Sequence, residues 1–330
     1  MKCAICGNEQ NNKTYILKEM MFGYKDEFEY FECADCLCFQ IKDIPANMAK
    51  YYPNNYYSLE QEAGRKLKRS YFRQLQYDHL SGYKKSLLGS IASFKYNSKT
   101  YSWFKNMGVK NKEEKILDVG CGNGRLVNQL FEVGFTNLTG IDPYLEKDIT
   151  CNQHLKILKK SIFEIDGQFD IIMMHHSLEH MADQFEVISQ IGELLKPNGK
   201  LLIRIPIISE PLFKKYGTNM VFLDPPRHFF IHTIKSITTL LTRVGFVVKK
   251  TIYDAEAFDV ITSEEWMKGI SMHDPKSYSV NKKDSIFSKK EIVGFKKYIH
   301  KLNGQGQSSS VALYIEKRPA NQDLKDIVSL

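Results

Sequence analysis

Four cysteines near the start of the chain have the spacing of a zinc site. They form two C-x-x-C pairs, Cys3 with Cys6 and Cys33 with Cys36, separated by 26 residues. Each pair presents two thiolates from one tight turn, which suits half of a tetrahedral zinc site. Cys38 is a fifth nearby thiol, but it lies outside the C-x-x-C pattern. The spacing therefore predicts a structural zinc on the four paired cysteines, with two disulfides as the alternative.

A glycine-rich turn is the second feature that could do chemistry. It follows the apolar segment 116–119 and contains three glycines at alternate positions, which are Gly120, Gly122 and Gly124. A backbone of this kind can bend sharply and approach a ligand closely. Asp118 precedes the turn, and Asp142 follows 24 residues later, where a carboxylate can accept hydrogen bonds from both hydroxyls of a ribose. The turn predicts a site for a nucleotide-like ligand but does not by itself choose the ligand.

Histidines supply the candidate groups for proton removal, because the pKa of an imidazole lies near neutral. Four of them stand at suitable places, and these are His175, His176, His180 and His228. Each has a plainer alternative, such as a backbone contact for His175, helix packing for His180 and a loop-fixing hydrogen bond for His228. Arg227 precedes His228, and its planar guanidinium suits a phosphate or carboxylate of a substrate, with a surface ion pair as its alternative.

Residues 46–112 combine a tyrosine-dense run with a basic segment. Tyr56 and Tyr57 end the run 51–57, which either packs two domains together or forms a lid with phenol hydroxyls over a polar ligand. Between residues 64 and 112 there are 12 Lys or Arg against one acid, Asp78. The apolar spacing is helical in patches, for example at Leu87, Leu88 and Ile91. The segment is either a solvated helical face or a surface for an anionic partner, such as a nucleotide-sugar, RNA or a phospholipid headgroup.

The elements that must position these groups alternate between strands and helices from about residue 113. The predicted strands are 115–119, 137–141, 155–158, 169–174, 200–205, 246–252 and 311–315, and the predicted helices are 125–133, 183–195 and 234–244. Asn123 is the expected N-cap of the first helix, and a turn at 196–199 is expected to close the second. This alternation predicts a mostly parallel sheet covered on both faces, with its ligand at the carboxyl ends of the strands. The cysteine pairs flank strand-forming segments, so residues 1–45 are predicted to form a zinc-ribbon-like module.

Composition sets broad limits on function. The 330 residues are 43% hydrophobic and 25% charged, which is typical of a globular protein with a full core. The sequence contains no apolar run of membrane-spanning length, and its first residues contain no apolar signal core, so we expect a cytoplasmic protein. The net charge of +8 is compatible with an anionic substrate but does not demonstrate nucleic-acid binding. Oligomeric state cannot be derived from these features.

Several motifs together resemble those of class I S-adenosylmethionine-dependent methyltransferases. The segments that carry the resemblance are 117–124, 140–142, 169–172 and 194–201. The resemblance implies a Rossmann-like fold with a mostly parallel seven-stranded sheet, whose last strand reverses direction. It also implies S-adenosylmethionine as the cofactor. In such enzymes the glycine turn, here with Asp118 and Cys121, passes the methionine part of the cofactor, Asp142 holds the ribose, Ser161 and Ile162 lie near adenine, and His175 lines the site.

The zinc module, the tyrosine run and this core together resemble bacterial methyltransferases of sugar and polysaccharide biosynthesis, including zinc-containing deoxysugar C-methyltransferases. Those enzymes act on a nucleotide-linked keto-sugar. They carry a Glu-His pair after the fifth strand, and the His removes the proton. His228 matches that His, whereas Arg227 stands in place of the Glu. The resemblance implies methyl transfer to a small anionic acceptor with His228 as the base, while His180 and His176 remain candidate bases because they follow the fourth strand.

Two other functions fit parts of the chain. One is an RNA methyltransferase that uses the zinc module and the basic segment to hold RNA, although the sequence after the fourth strand lacks an Asn-Pro-Pro-Tyr-type motif. The other is a binding protein that keeps the cofactor site without turnover. The expected organisation is a module at 1–45, a linker and cap at 46–112, a cofactor domain at 113–320 with an insertion at 254–306, and a tail at 321–330.

Overall fold

A computed structural model of the chain describes residues 1–53, 68–94 and 99–319. The strands in these ranges are Lys13–Lys18 (β1), Glu27–Glu32 (β2), Phe39–Ile41 (β3), Ile116–Val119 (β4), Leu138–Ile141 (β5), Ile149–Asn152 (β6), Leu155–Leu158 (β7), Phe169–His175 (β8), Leu195–Pro206 (β9), Phe230–Ile231 (β10), Phe246–Tyr253 (β11) and Ser310–Lys317 (β12). The helices are Tyr71–Leu80 (α1), Leu87–Ser93 (α2), Lys99–Met107 (α3), Arg125–Glu132 (α4), Gln184–Leu194 (α5), Glu210–Tyr216 (α6), Ile234–Arg243 (α7), Ala257–Met267 (α8) and Lys289–Gln305 (α9). The predicted tail at 321–330 lies outside these ranges.

The main sheet has eight strands within the described ranges, in the order β11-β12-β9-β8-β4-β5-β7-β6. The central neighbours β9, β8, β4, β5 and β7 pair in parallel. β12 inserts between β11 and β9 and runs antiparallel to both. Without the edge strand β6, seven strands remain, and they confirm the predicted Rossmann-like sheet, which is mostly parallel and has a reversed last strand.

Two features of this sheet differ from the sequence-based expectation. An additional strand, β6, pairs antiparallel with β7 at the sheet edge. Residues 196–199, which the sequence predicts to form a turn, are instead part of β9. Leu195 already pairs with Phe169, and the next pair joins Ile171 to Lys200, so residues 196–199 lie in an irregularity between these two pairs. Lys196 is held there by the carboxylate of Asp170, 2.7 Å from its Nζ.

Alternate side chains of the central strands fill two different cores. On one face, Val119 and Met174 pack with residues of α5 and α7. On the other face, Ile171 and Met173 pack with α3 and α4. A parallel sheet needs this double cover because both of its faces are apolar. The carboxyl edge between the two layers of helices is left for a ligand.

The N-terminal strands do not form an isolated hairpin. β1 and β2 pair as predicted, β3 follows, and β10, which is distant in sequence, completes this four-stranded sheet within the described ranges. The phenol of Tyr30 donates a hydrogen bond of 2.8 Å to the carbonyl of His228. The cysteine module therefore packs directly on the loop that contains the candidate base. The predicted domain boundaries remain a prediction.

The insertion at 254–306 contains α8 and α9, which pack on each other. Ile299 and Leu302 of α9 share a core with Leu17 and Tyr30 of the N-terminal strands. This insertion therefore supports the N-terminal module. Among the described residues, no helix combines the length and the apolar character that crossing a membrane requires.

Candidate active site

The glycine turn connects β4 to α4 at the carboxyl edge of the sheet. Gly120, Gly122 and Gly124 all have positive φ values of 72°, 53° and 75°. A Cβ on Gly120 would lie 2.4 Å from Cβ of Ser177, and a Cβ on Gly124 would lie 2.2 Å from Ile157. Both the backbone conformation and the lack of space therefore require glycine.

The start of α4 differs slightly from the expectation. Gly124, not Asn123, occupies the N-cap position. The Oδ1 atom of Asn123 accepts a hydrogen bond of 3.1 Å from the Arg125 amide. Asn123 thus accepts a hydrogen bond from a free amide of the first turn, although it lies one residue before the N-cap position. Gly124 occupies the N-cap position itself, where φ is positive.

Asp142 follows β5 and orders the turn. Its Oδ2 accepts a hydrogen bond of 3.0 Å from the Gly122 amide, and its Oδ1 accepts one of 2.9 Å from the Tyr144 amide. Burial raises the pKa of Asp142, while these two backbone donors lower it. Each carboxylate oxygen keeps a further lone pair for a ligand hydroxyl.

Asp118 at the end of β4 is the second buried carboxyl group of the turn. Its Oδ1 has no hydrogen-bond partner among the described residues. Burial, and then the charge of Asp142, raise the pKa of Asp118 to about 7. A positively charged group of a ligand would stabilise both carboxylates. This site is therefore suited to a ligand that combines hydroxyls with positive charge.

The remaining predicted cofactor residues border the same edge. A Cβ on Gly140 would lie only 2.8 Å from the Sγ of Cys121, so there is no room for a larger side chain at this position of β5. Ser161 follows β7 and caps a short 3-10 turn through a capping box with Glu164, and Ile162 is buried behind it. The glycine turn, Asp142 and Ser161 thus follow the carboxyl ends of the neighbouring strands β4, β5 and β7, and their roles toward a cofactor remain predictions.

His175 at the end of β8 lies against an aromatic neighbour. Its ring centroid is 4.6 Å from that of Trp103 in α3, and the guanidinium of Arg204 lies 4.4 Å from the Trp103 ring. Burial, followed by the charges of Arg204 and His176, lowers the pKa of His175 well below its ordinary value. The imidazole is therefore neutral at physiological pH. Its expected contact with the cofactor remains a prediction.

A buried glutamate lies among the other candidate histidines. Glu179 is 1% exposed, and neither carboxylate oxygen has a hydrogen-bond partner among the described residues. Nδ1 of His176 is 3.5 Å from Oε1, an ion-pair distance, and the side chains of His180 and His228 complete the cluster. Burial raises the pKa of Glu179, but the contact with His176 and the positive charges that the neighbouring imidazoles carry at low pH outweigh burial and lower this pKa to about 2.

His180 and His228 form a pair with defined tautomers. Their ring centroids are 4.7 Å apart. Nδ1 of His180 is 2.9 Å from the carbonyl of Arg227, and Nδ1 of His228 is 2.8 Å from the carbonyl of Phe222. Because a carbonyl only accepts, each Nδ1 carries the proton, and each Nε2 keeps a free lone pair. Burial, then the charge of His228, lowers the pKa of His180 to about 4, so this ring is neutral at pH 7.

Tyr52, at the start of the tyrosine run, contacts this pair. Its hydroxyl lies 3.1 Å from Nδ1 of His180, and its ring stacks on Tyr144 with centroids 6.1 Å apart. The predicted substrate residues Tyr56 and Tyr57 lie outside the described residues. Sequence reasoning did not select Tyr52 or Glu179 as site residues, although Tyr52 belongs to the same aromatic run and Glu179 precedes a candidate histidine.

The expectation that Arg227 holds a substrate anion does not fit its position. Its side chain is completely buried. Its Nη2 donates to Glu19 at 2.9 Å, its Nε donates to Asp224 at 2.9 Å, and its Nη1 lies 3.4 Å from the Tyr51 carbonyl. Glu19 also accepts hydrogen bonds from the amides of residues 22 and 24. Arg227 therefore ties the N-terminal module to the His228 loop.

We expect Arg227→Met to destabilise the protein by roughly 3 kcal/mol or more, because it leaves Glu19 and Asp224 buried without their partner. Thermal unfolding followed by circular dichroism measures this change. Lys235→Met is the matched control, because it removes an ion pair with Asp35 that is more than half exposed. That variant should change stability by at most about 1 kcal/mol. Equal effects of the two substitutions would contradict the structural role of Arg227.

The four cysteines of the two C-x-x-C pairs converge at the base of the N-terminal sheet. Their Sγ atoms all lie within 4.8 Å of one another, with Cys3 and Cys36 separated by 3.6 Å and Cys6 and Cys33 by 3.4 Å. A tetrahedral zinc with four thiolates separates its sulfurs by about 3.8 Å. Side-chain amides supply further support, as Gln40 donates to Sγ of Cys3 at 2.9 Å. The donor set therefore fits zinc.

Cys38 does not belong to this cluster. Its Sγ lies 3.5 Å from the Phe39 carbonyl and 3.9 Å from Nδ1 of His232. The four clustered cysteines are free thiols in the described structure, so the disulfide alternative is not observed. Cys36, and not Cys38, is therefore the fourth member of the cluster, and its role as a metal ligand remains a prediction.

Comparison with known proteins identifies one family model on the chain. Residues 98–251 match a model described as a methyltransferase domain. The chain is 31% identical over 101 residues to a ubiquinone biosynthesis O-methyltransferase of Pseudomonas aeruginosa, a match that covers 27% of this chain and 43% of that protein. It thus spans less than half the length of this relative. A tRNA U34 carboxymethyltransferase of Helicobacter pylori is 25% identical over 213 residues, covering 56% of this chain and 80% of that protein.

Solved structures with similar architecture include a cyclopropane synthase from Mycobacterium tuberculosis. It has 15% identity and a TM-score of 0.42, and the match covers 76% of this chain and 99% of that one. An S-adenosylmethionine-dependent methyltransferase from Mesorhizobium loti has 13% identity and a TM-score of 0.42, with 67% of this chain and 99% of that chain covered.

Proposed function

Residues 98–251 contain a class I S-adenosylmethionine-dependent methyltransferase domain, and from this premise we propose that the chain methylates a small anionic acceptor, of which a nucleotide-linked sugar is the leading class. A histidine next to the cofactor edge removes the acceptor proton. The observation that carries this proposal is the pair His180 and His228, whose Nε2 atoms are both free to accept a proton, beside the buried carboxylate of Glu179.

The glycine turn and its two aspartates would hold the cofactor. S-adenosylmethionine has two ribose hydroxyls, which can donate hydrogen bonds to the free lone pairs of Asp142. It also has a sulfonium and an ammonium group, whose positive charges suit the negative electrostatic field of Asp118 and Asp142. The cofactor supplies an activated methyl group when it is bound. The protein then has to align the acceptor and remove its proton.

The histidine cluster is suited to that second task. A neutral imidazole accepts the proton through Nε2, while its Nδ1–H remains bonded to a backbone carbonyl. The resulting imidazolium is stabilised by the Glu179 carboxylate, whose two oxygens have no hydrogen-bond partner among the described residues. A buried negative charge held next to an imidazole is a known way to strengthen a histidine base. Ser177 connects the two halves of the site, since its Oγ donates to the Val119 carbonyl beside the glycine turn.

The proposed acceptor class rests on the enclosure of this cluster. Tyr52 lies next to His180, Phe222 stacks near His176, and Tyr30 of the N-terminal sheet holds the His228 backbone. A small molecule fits between such walls better than a duplex does. With Arg227 fully engaged, negative charge on the acceptor would have to be bound by other basic groups.

An RNA acceptor is the second candidate, because one relative is named as a tRNA U34 carboxymethyltransferase and aligns over 80% of its length. Measuring the binding of each acceptor in the presence of S-adenosylhomocysteine separates the two candidates. This compound would occupy the cofactor site but has no methyl group to transfer. We expect a nucleotide-linked sugar to bind and unmodified total tRNA to bind only weakly. Tight tRNA binding that falls steeply with salt would instead favour the RNA candidate. Cofactor binding with neither acceptor class methylated would favour the non-catalytic alternative.

We propose that Cys3, Cys6, Cys33 and Cys36 hold one structural zinc. Four thiolates leave no open position, so the metal would stabilise the N-terminal sheet and take no part in proton transfer. We expect elemental analysis to find one zinc per chain, and Cys33→Ser to lose it and lower the melting temperature. Cys38→Ala is the matched control, because this equally buried thiol lies outside the cluster, and it should retain the metal. Zinc at full stoichiometry in Cys33→Ser would contradict the site.

A further inference from the structure

The helices α1 and α2 pack against each other through the small residues of α2. α2 turns its small residues, Gly89 and Ala92, toward α1. A Cβ on Gly89 would lie 2.9 Å from Cβ of His79, and Nε2 of Gln76 donates a hydrogen bond of 2.5 Å to the Ala92 carbonyl. The small residues therefore make the close contact, and the bulky residues of α2 must point elsewhere.

Those bulky residues face solvent. The exposed fractions are 79% for Leu87, 60% for Leu88, 67% for Ile91 and 88% for Phe94. Residues 87, 91 and 94 follow the spacing of one helix face and form a stripe. We call this stripe, with Leu88 added, the α2 patch. An ordinary surface helix directs its large apolar side chains inward. Nearby, Tyr71 and Phe72 of α1 are 71% and 59% exposed.

Positive charges surround the α2 patch. Lys84 and Lys85 immediately precede α2, Lys68 and Arg69 precede α1, and all four are exposed. Asp78 is the one acidic residue between residues 68 and 94. It is already paired with Lys112, whose Nζ lies 2.5 Å from Oδ1 of Asp78. The surface therefore combines exposed apolar side chains with a basic rim, and none of its four cationic side chains forms an ion pair with another described residue.

This surface is remote from the candidate active site. The amide of Ser70 bonds to the carbonyl of Glu132 at the far end of α4, and Tyr77 packs on Phe135 just before β5. Both contacts lie at the amino edge of the parallel strands, whereas the glycine turn and the histidines lie at the carboxyl edge. The α2 patch is therefore not part of the methyl-transfer site.

We propose that the α2 patch and its basic rim bind the surface of an anionic lipid bilayer. Leucine, isoleucine and phenylalanine would insert among the acyl chains near the headgroups, while the lysines contact the negatively charged headgroups. RNA would account for the lysines but leaves the exposed leucines without a partner. A second copy of the chain would bring two identical basic rims face to face, which costs energy. Lipid accounts for both features, and the proposal does not depend on the methyl acceptor.

Co-sedimentation of the full chain with vesicles tests this proposal. We expect binding to vesicles that contain phosphatidylglycerol, weaker binding at high salt, and little binding to pure phosphatidylcholine. Leu88→Glu with Ile91→Glu should abolish binding, and Val293→Glu is the matched control because Val293 is 50% exposed on α9. Lys84→Glu with Lys85→Glu should weaken binding by at least about 25-fold, since each lysine contributes about fivefold at low salt. Lys289→Glu with Lys290→Glu is its control.

Three results would overturn the proposal. The first is that the unaltered protein stays in the supernatant with anionic vesicles at low salt. The second is that the α9 controls lose binding as much as the patch variants, which would mean that net charge alone acts. The third is that Leu88→Glu with Ile91→Glu converts a dimer to a monomer in light scattering, which would make the patch a contact between copies. All substituted side chains are exposed, so the variants should keep the unaltered melting temperature.

Discussion

Asp142→Ala should weaken S-adenosylmethionine binding by at least about 100-fold without unfolding the protein. The proposed role of Asp142 is to accept two hydrogen bonds from the ribose, and hydrogen bonds to a charged group contribute roughly 1.5–3 kcal/mol each. The substitution also removes the acceptor of the Gly122 and Tyr144 amides, which loosens the glycine turn. Isothermal titration calorimetry measures the affinity, and circular dichroism confirms the fold.

Two further variants make this test specific. Asp142→Asn keeps the shape and one acceptor oxygen, so its affinity should fall between those of the unaltered protein and Asp142→Ala. Asp166→Ala removes an exposed carboxylate at the opposite, amino edge of the sheet and should leave affinity unchanged. Unchanged affinity in Asp142→Ala would show that the ribose is held elsewhere and that the proposed cofactor position is incorrect.

His228→Ala should lower turnover by about 100-fold to 10,000-fold, the usual contribution of a positioned general base. Its affinity for S-adenosylmethionine should stay nearly constant, because the described contacts of His228 are with His180, Phe222, Asp224 and Tyr30 rather than with the glycine turn. Turnover and cofactor binding are therefore measured on the same sample. His300→Ala, an exposed histidine on α9, is the matched control and should retain full activity.

The pH profile separates the two histidines of the pair. The base must be neutral, so turnover falls as pH drops through its pKa. Burial lowers the pKa of His180 to about 4, so a base at His180 would keep the enzyme active down to about that pH. Full turnover in His228→Ala, together with an acid limb near pH 4, would assign the proton transfer to His180 instead of His228.

The predictable parts of this molecule are those in which a local pattern has one physical meaning. Apolar runs followed by glycines at alternate positions require a strand, a tight turn and a helix, and the structure contains them at β4, Gly120 to Gly124 and α4. Each C-x-x-C pair likewise presents its own two sulfurs from one turn, and the predicted hairpin of β1 and β2 brings the two pairs together. Reversal of the last strand followed from the family resemblance and not from any local signal.

Other features depend on contacts between distant residues, and local patterns do not reveal them. Arg227 and Glu19 are 208 positions apart, so nothing near Arg227 in the sequence indicates that its charge is already paired. The spacing of Leu87, Leu88 and Ile91 indicates a helix but not which face is covered. That face is decided by the fit of Gly89 against α1. The cluster around Glu179 also forms only when the loop 221–229 folds back onto the end of β8.

The central claim is that this chain moves a methyl group from S-adenosylmethionine to a small anionic acceptor at the His180 and His228 pair. The most direct measurement uses cofactor with a radiolabelled methyl group, a panel of nucleotide-linked sugars and total tRNA in parallel, with the unaltered protein and His228→Ala. We predict label in the sugar-nucleotide fraction with the unaltered protein and almost none with His228→Ala. Label that appears only in tRNA, or equally with both proteins, would contradict the account.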